Sequence, residues 1–438
     1  MTKGVRGYAM MLTILVQSDW IPCAAEVLPF QPGNFSAGTR SSDQLLILSN
    51  GLSARPIARS GEPVPLANGN VSVELFHMLP DFGACFEMGG GAYRYISNAE
   101  GDTNGTSWNN GGVGAIDFDS NGNVIGYQKI ASGTRHNCGG GKTPWNSWVS
   151  GEERENGRAM QIDPLGVRAP AVTAIGDVGF YESFAYDDST TIPTFYMTRD
   201  NIKGAVTRFT PDDAAHACYL QSQDYDRWCT LESGTIDYLF LTPGGLAGWT
   251  TNFTEAAANA QDNFPGNEGI NIQDGIMYIT SKTLKRLVIV NLATLVYSFE
   301  STKHESFVEE PDQIVRIQGD DSGILFFCED GGLSPGLHVR NSTGAFFKIL
   351  YGDGTQFHSK EETTGLAFSP DAKHLYISFQ QEGILYAVSR DDNRPFTDEF
   401  LGISSPKILD PTSNGMRLYG IFCLTLSFLI IVMEMFSA

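Results

Sequence analysis

The chain's reactive side chains recur at regular spacing. Glu182 precedes Asp200 by 18 residues, Asp312 precedes Asp330 by 18, and Glu362 precedes Gln380 by 18. Cys138 precedes Glu153 by 15 residues and Glu268 precedes Lys282 by 14. Turn sequences such as Gln273-Asp274-Gly275 and Pro370-Asp371-Ala372 lie between the members of these pairs. Each pair therefore brackets an antiparallel hairpin, and the start of its first strand meets the end of its second at one sheet edge. Hairpins arranged around an axis would aim Cys138, Glu153, Glu182, Asp200, Glu268, Asp312, Asp330 and Glu362 into one funnel. Carboxylates crowded in this way repel and raise one another's pKa. Multivalent cations relieve that repulsion: carboxylates select hard ions such as calcium, and a thiolate adds a softer site suited to iron or zinc. Without convergence, the same residues are solvated turn residues.

The elements that would position these groups are short. Ser147–Ser150, Thr194–Thr198, Gly275–Thr280, Gly323–Phe327 and His374–Phe379 each read as a strand running into a polar turn. A second strand follows each turn, and the step is about 50 residues with one interval nearer 80. Strand units at such a period predict an all-β fold, a β-propeller whose blades carry about four strands each. The 48 Gly and 20 Pro agree with many turns rather than long helices. The stretch 212–260 is the exception and reads as an insertion with short helices. At 42% hydrophobic and 18% charged, the chain of 438 residues can bury a sizeable core. Its 50 acidic against 29 basic residues give a formal charge of −21, which repels phosphate backbones and argues against nucleic-acid partners.

The ends of the chain predict an address outside the cytoplasm. Lys3 and Arg6 precede an apolar run, Tyr8 to Val16, with small residues at Ala24 and Ala25; residues 1–25 read as a secretory signal peptide. Sequons at Asn34, Asn70, Asn104, Asn252 and Asn341 fit secretion and glycosylation. A domain over 26–405 is followed by a spacer, 406–417, and a hydrophobic segment, 418–438, that would anchor the chain as a lipid-attachment signal or a single membrane span. Five cysteines remain in the body, an odd number. Cys218 and Cys229 close a short loop and suit a disulfide. Cys138 lies in Asn137-Cys138-Gly139-Gly140-Gly141 and reads as a free thiol or as the partner of Cys85.

Other motifs carry less. Asp117 to Asn123 resembles the start of a calcium loop, but Gln128 stands where the loop needs a bidentate Glu, and Asn121-Gly122 reads better as a hairpin turn. Gly-x-Ser-x-Gly is absent, so a serine-hydrolase elbow is unsupported.

The run from Asn137 to Glu153, NCGGGKTPWNSWVSGEE, resembles the signature of the PhoX-type alkaline phosphatases, Asn-Cys-x-Gly-Gly-x-Thr-Pro-Trp-x-x-Trp closing with Glu-Glu. Tyr181-Glu182-Ser183-Phe184-Ala185, Met197-Thr198-Arg199-Asp200, Glu268-Gly269-Ile270, Pro311-Asp312, Cys328-Glu329-Asp330-Gly331, the Gly365–Asp371 stretch and Ile377-Ser378-Phe379-Gln380 resemble further family segments in order. The resemblance implies a six-bladed propeller with a calcium and ferric iron cluster in its channel, hydrolysing phosphate monoesters outside the membrane. It implies Cys138 as the iron-ligating thiolate, Glu153, Glu182 and Glu268 as carboxylate metal ligands, and Asp312, Asp330 and Glu362 as further ligands.

Two departures stand out. Two residues before Glu268 the family's phosphatases can carry an Arg that helps hold phosphate; here the position is Gly266. Arg199 replaces an acid of the family's Thr-Glu-Asp and is the sequence's candidate for the missing positive charge, hence for a catalytic role. A calcium-stabilised binding scaffold without catalysis is the alternative expectation.

Overall fold

The computed structural model describes residues 33–35, 39–102, 110–176, 178–303, 307–355 and 361–397. The expected signal peptide, sequon Asn104, spacer and C-terminal anchor lie outside these residues.

The described residues form six antiparallel sheets arranged as the blades of a propeller. The first blade comprises Pro80–Gly89, Ala92–Asp102, Asn110–Phe118 and Val124–Ala131. The second comprises Asn137–Lys142, Trp148–Glu152, Ala159–Ile162 and Ala171–Val172. The third runs from Tyr181–Asp187 through Thr194–Arg199, Thr207–Pro211 and Gly234–Leu241 to Ala247–Thr250. The fourth holds Asn267–Gln273, Ile276–Ser281, Arg286–Asn291 and Tyr297–Ser301. Glu310–Val315, Leu325–Asp330, Gly336–Arg340 and Phe346–Gly352 make the fifth, and Thr363–Phe368, His374–Phe379 and Ile384–Arg390 the sixth. Within each blade the strands pair in sequence order, the first innermost, and neighbouring inner strands touch around the whole ring.

The ring closes through the chain's early strands. Leu46–Leu48 pairs with Phe346–Gly352 at the outside of the fifth blade, and Leu52–Arg59 pairs with Ile384–Arg390 at the outside of the sixth. A separate hairpin, Pro63–Pro65 with Val71–Leu75, leads into the first blade. The strands read from sequence are the second and third strands of blades two to six. The 212–260 insertion is realised as helices Asp213–Gln221 and Phe253–Asn263 with a 3-10 turn, Asp224–Leu231. Asp212 and Asn252 cap the two helices by accepting from their first free N–H groups.

Each blade is sandwiched between two others, so both of its faces are apolar. The buried residues fall into six clusters, one at each interface between neighbouring blades. Phe82, Ile96, Trp148 and Ile162 join the first blade to the second, and Trp145, Val149, Phe184 and Phe195 join the second to the third. Burial of such side chains contributes about 25 cal/mol per Å² of apolar surface.

The Gly139-Gly140-Gly141 run serves this packing. A Cβ on Gly139 would lie 2.4 Å from the Glu182 carbonyl carbon, and one on Gly141 would lie 2.1 Å from the Phe184 carbonyl oxygen. Only glycine lets the second inner strand approach the third this closely. The Cys218–Cys229 disulfide is formed, while Cys85, Cys138 and Cys328 are free thiols. Cys138 is therefore not the partner of Cys85. Among the described residues no helix is long and apolar enough to cross a membrane.

Candidate metal centre

In every blade the inner strand carries a polar residue one or two places past its first residue, at a bulge. Asp81, Cys138, Glu182, Glu268, Asp312 and Thr364 hold this place. A bulge inserts an extra residue and re-aims the side chain beside it. Here it is repeated around the ring, so the six side chains turn toward one axis. Opposite this position, at or close to the end of each blade's second strand, stands Glu100, Glu153, Asp200, Lys282, Asp330 or Gln380 in turn. Two tiers of polar groups thus surround the same end of the channel.

Three overlapping sets place possible ligand atoms within 4.8 Å of one another: Asp81, Glu100 and Cys138; Cys138, Glu153 and Glu182; Glu182, Glu268 and Asp312. The predicted Cys138, Glu153, Glu182, Glu268 and Asp312 are therefore brought together. Asp330 and Glu362 lie outside these sets but beside them. Asp330 is 3.5 Å from the Lys282 ammonium, and Glu362 bridges to Asp330 through the backbone and feels the charges of Asp330, Asp81 and Asp312. The register gives the sixth blade's inner position to Thr364, two residues after Glu362.

Asp81 and Glu100 were not singled out from the sequence. They lie before the stretch where the family segments begin, and their spacing of 19 is one longer than the repeat. A signal was present nonetheless: Pro80-Asp81 duplicates Pro311-Asp312.

Arg199 is not brought to the cluster. Its Nε donates to the Gly179 carbonyl at 2.8 Å and its Nη2 to the Val178 carbonyl at 3.2 Å, while the guanidinium lies over the Phe253 ring. Adjacent residues of a strand point to opposite sides, and Asp200 takes the channel side. The cation at the cluster is Lys282, whose Nζ lies 2.6 Å from both Asp200 and Glu268. Gly266 sits against it with φ +58°, and a Cβ there would meet the Lys282 side chain at 3.0 Å. A glycine at 266 leaves room for Lys282.

The electrostatics of the cluster are strained. Burial, reinforced by the charges of Asp81, Glu182, Glu100 and Glu153, pushes the Cys138 thiol well above its ordinary pKa. Burial and then neighbouring acids do the same to Glu182, Glu268, Asp312 and Glu362. Glu153 is raised to about 9 and Asp81 to about 6, by burial first and Glu100 second. Burial alone would lower Lys282, but Glu268, Asp200 and Asp330 outweigh it and raise its pKa. One ammonium cannot neutralise this many carboxyls. Glu182 Oε2 is buried without a hydrogen-bond partner, and Cys138 Sγ lies 3.0 Å from Glu182 Oε1. A thiol and several oxygens converging around an unpartnered carboxylate atom fit bound cations, with the softer ligand on one side of the group.

Neighbouring residues hold these groups in place. Asn98 Nδ2 donates to the carbonyls of Cys138 and Gly139 at 2.7 and 2.8 Å, while its Oδ1 accepts from Trp148 Nε1 and Ser150 Oγ. Asn137 Oδ1 accepts from the Gly112 N–H and Thr134 Oγ1, and its Nδ2 donates to Ser150 Oγ. The hydroxyls of Thr198 and Thr280 donate to the carbonyls of Glu268 and Asp312 in the next blade. Glu152 is tied to Arg158 and Arg154, which overcome its burial and lower its pKa. Glu329 accepts from His338 Nε2 at 3.0 Å and from backbone N–H groups, and is lowered to about 2 against the effect of burial. In Glu152-Glu153 and Glu329-Asp330 the first acid fixes the strand end and the second meets the channel.

Solved structures of similar outline include a structural-genomics protein from Bacteroides thetaiotaomicron, 11% identical over 77% of this chain and 76% of its own, with a TM-score of 0.48. The PQQ domain of pyranose dehydrogenase from Coprinopsis cinerea is 12% identical over 79% of this chain and 97% of its own, TM-score 0.44. A gluconolactonase from Xanthomonas campestris is 12% identical over 76% and 92%, TM-score 0.40. At these scores the likenesses bear on neither chemistry nor substrate. No curated protein matches the chain. The family model for alkaline phosphatase PhoX matches residues 123–201, a part of the chain that takes in the second blade and the first two strands of the third. Over that stretch, which contains Cys138, Glu153 and Glu182, the chain is similar to alkaline phosphatase PhoX.

Proposed function

We propose that the protein is a metal-dependent phosphomonoesterase of the PhoX type, working with iron and calcium at the acidic end of its channel. The observation that carries this reading is the set of three overlapping ligand groups sharing Cys138 and Glu182. Its chemistry suits a thiolate-bound ferric ion beside harder, oxygen-bound ions. Asp81, Glu100, Glu153, Glu268 and Asp312 would complete the holding residues. When bound, such ions supply Lewis acidity toward a phosphoryl oxygen and lower the pKa of water.

The chain's own groups do the rest. Among the described residues Lys282 is the lysine at this end, fixed by Asp200, Glu268 and Asp330, and it suits a dianionic phosphate that has shed its water. Gln380 Nε2 donates to Asp81 Oδ2 at 3.1 Å and Glu100 Oε2 at 2.7 Å, and Gln313 Nε2 donates to Asp81 Oδ1 at 2.8 Å. These amides orient the first blade's carboxylates without adding charge. The Cys218–Cys229 disulfide suits an oxidising compartment. It supports action outside the cytoplasm; the C-terminal hydrophobic segment would hold the chain at the membrane as a lipid-attachment signal or a single span.

The test is hydrolysis of p-nitrophenyl phosphate by the purified full chain, with and without chelator, alongside elemental analysis. Chelator-sensitive hydrolysis with iron and calcium present is expected. A protein that holds its cations and hydrolyses no phosphomonoester would leave the calcium-stabilised scaffold as the better reading.

A further inference from the structure

Past the acidic ring the channel holds a cavity of about 650 Å³, lined by the later residues of the inner strands and the loops beyond them. Phe82, Trp148, Phe184, Ile270, Ile314 and Leu366 contribute one apolar wall from each blade, and each is buried. The volume lies in the range of roughly 300–1,000 Å³ common to small-molecule sites.

Two cations stand inside this apolar cup. Lys142 reaches across the axis from the second blade: its Nζ donates to the Cys85 carbonyl at 3.0 Å and to Gln318 Oε1 beyond the fifth blade at 3.3 Å, and lies 4.7 Å from the Phe86 ring centre. No ion pair joins Lys142 to an acid among the described residues. Arg316, half-buried, also lines the cavity, and no hydrogen bond or ion pair of its guanidinium is found there. The acids that line the cavity, Glu87 and Asp224, are exposed at its mouth. Positive charge therefore sits deeper than negative charge. A part-buried ammonium held by a carbonyl, an amide and a ring face gains more from a carboxylate than a fully exposed one would.

We propose that this cavity is a binding site for an anionic amphiphile of the alkyl carboxylate class. The carboxylate would sit between Lys142 and Arg316 and the hydrocarbon chain would lie against the aromatic and aliphatic walls. Its walls begin one or two residues past the metal-centre positions, and its cations Lys142 and Arg316 stand four residues past Cys138 and Asp312, on the side away from the carboxylates.

The test uses the purified full-length protein and the fluorescent fatty acid cis-parinaric acid, with dodecanoate and dodecanol as competitors. One saturable site is expected, displaced by dodecanoate and at least about tenfold less well by dodecanol. Lys142→Met should weaken probe binding roughly tenfold, with the metal content unchanged. Arg316→Met should weaken it in the same direction and serves if Lys142→Met folds poorly. Absence of saturable binding overturns the proposal, as does equal competition by dodecanol. So does unchanged affinity in folded variants at both positions.

Discussion

The two ends of the channel are built from the same six strands and solve opposite problems. At one end Asp81, Cys138, Glu182, Glu268 and Asp312 converge from near the strand starts; one or two residues on, Phe82, Phe184, Ile270, Ile314 and Leu366 line the cavity. The apolar end is stable as it folds, because burial of hydrocarbon is itself favourable. The acidic end is not, because each carboxyl is desolvated among like charges and needs a counter-ion or a proton. The contrast shows where the fold spends stability: on a polar ring that the hydrophobic interfaces between blades hold in place.

The strongest way to break the comparison is to remove the thiolate. Cys138→Ser should lose iron and lower kcat/KM on the order of 10³-fold, measured together by elemental analysis and steady-state kinetics. Loss of activity with full iron retention would take Cys138 out of the ligand set.

Lys282 is the next lever. Lys282→Met should cost about 10²-fold in kcat/KM, roughly 2.7 kcal/mol, with iron retained, because an ammonium contributes charge to the phosphate without ligating metal. An unchanged kcat/KM would mean that phosphate is held by the cations alone.

Metal removal should separate the two ends thermodynamically. Stripping cations held at a hundredfold excess over Kd costs about 2.7 kcal/mol, seen as a fall of several degrees in Tm. The stripped protein should also lose stability as pH rises. Glu153 is raised from 4.5 to about 9 and Asp81 from 3.8 to about 6. The native state thus keeps protons that the unfolded chain has released, and stability falls from near pH 4 up to about pH 9. Metals should flatten this slope; a metal-free protein whose Tm rises over the same range would contradict the crowded-carboxylate picture.

Arg199→Met should have the smallest effect on catalysis. With its guanidinium bound to the Gly179 and Val178 carbonyls, the variant should lose about 1–3 kcal/mol of stability. Its kcat/KM should stay within about twofold. A 10²-fold loss in a folded, metal-replete variant would restore Arg199 to the site.

Much of this was legible in the chain. Strand-like runs set between polar turns and recurring about every 50 residues mark the strands at His374–Phe379 and Gly336–Arg340, because turn chemistry is a local property. The 14- to 18-residue spacing of paired polar groups brackets the hairpins, since two strands and a turn fix that length. The helical insertion is likewise local: Asp212 and Asn252 carry their own caps. The Asn137–Glu153 motif singles out Cys138 for the same reason, as its glycines, Asn and Trp residues all serve one hairpin and its neighbours.

The rest depended on closure of the ring. Leu46–Leu48 and Leu52–Arg59 complete the fifth and sixth blades from the far end of the chain, a pairing across some 300 residues that no local pattern encodes. Packing of the first blade against the second brings Asp81 and Glu100 beside Cys138, and the register within the sixth blade sets Thr364, rather than Glu362, in the inner position. Strand alternation at the end of Thr194–Arg199 turns Asp200 inward and Arg199 outward, while Lys282 enters the space left by Gly266. Sequence determines which residues share a hairpin edge, because that is set by period and turn. Which of them meet, and with what charge between them, is decided only when six hairpins from distant parts of the chain are packed around one axis.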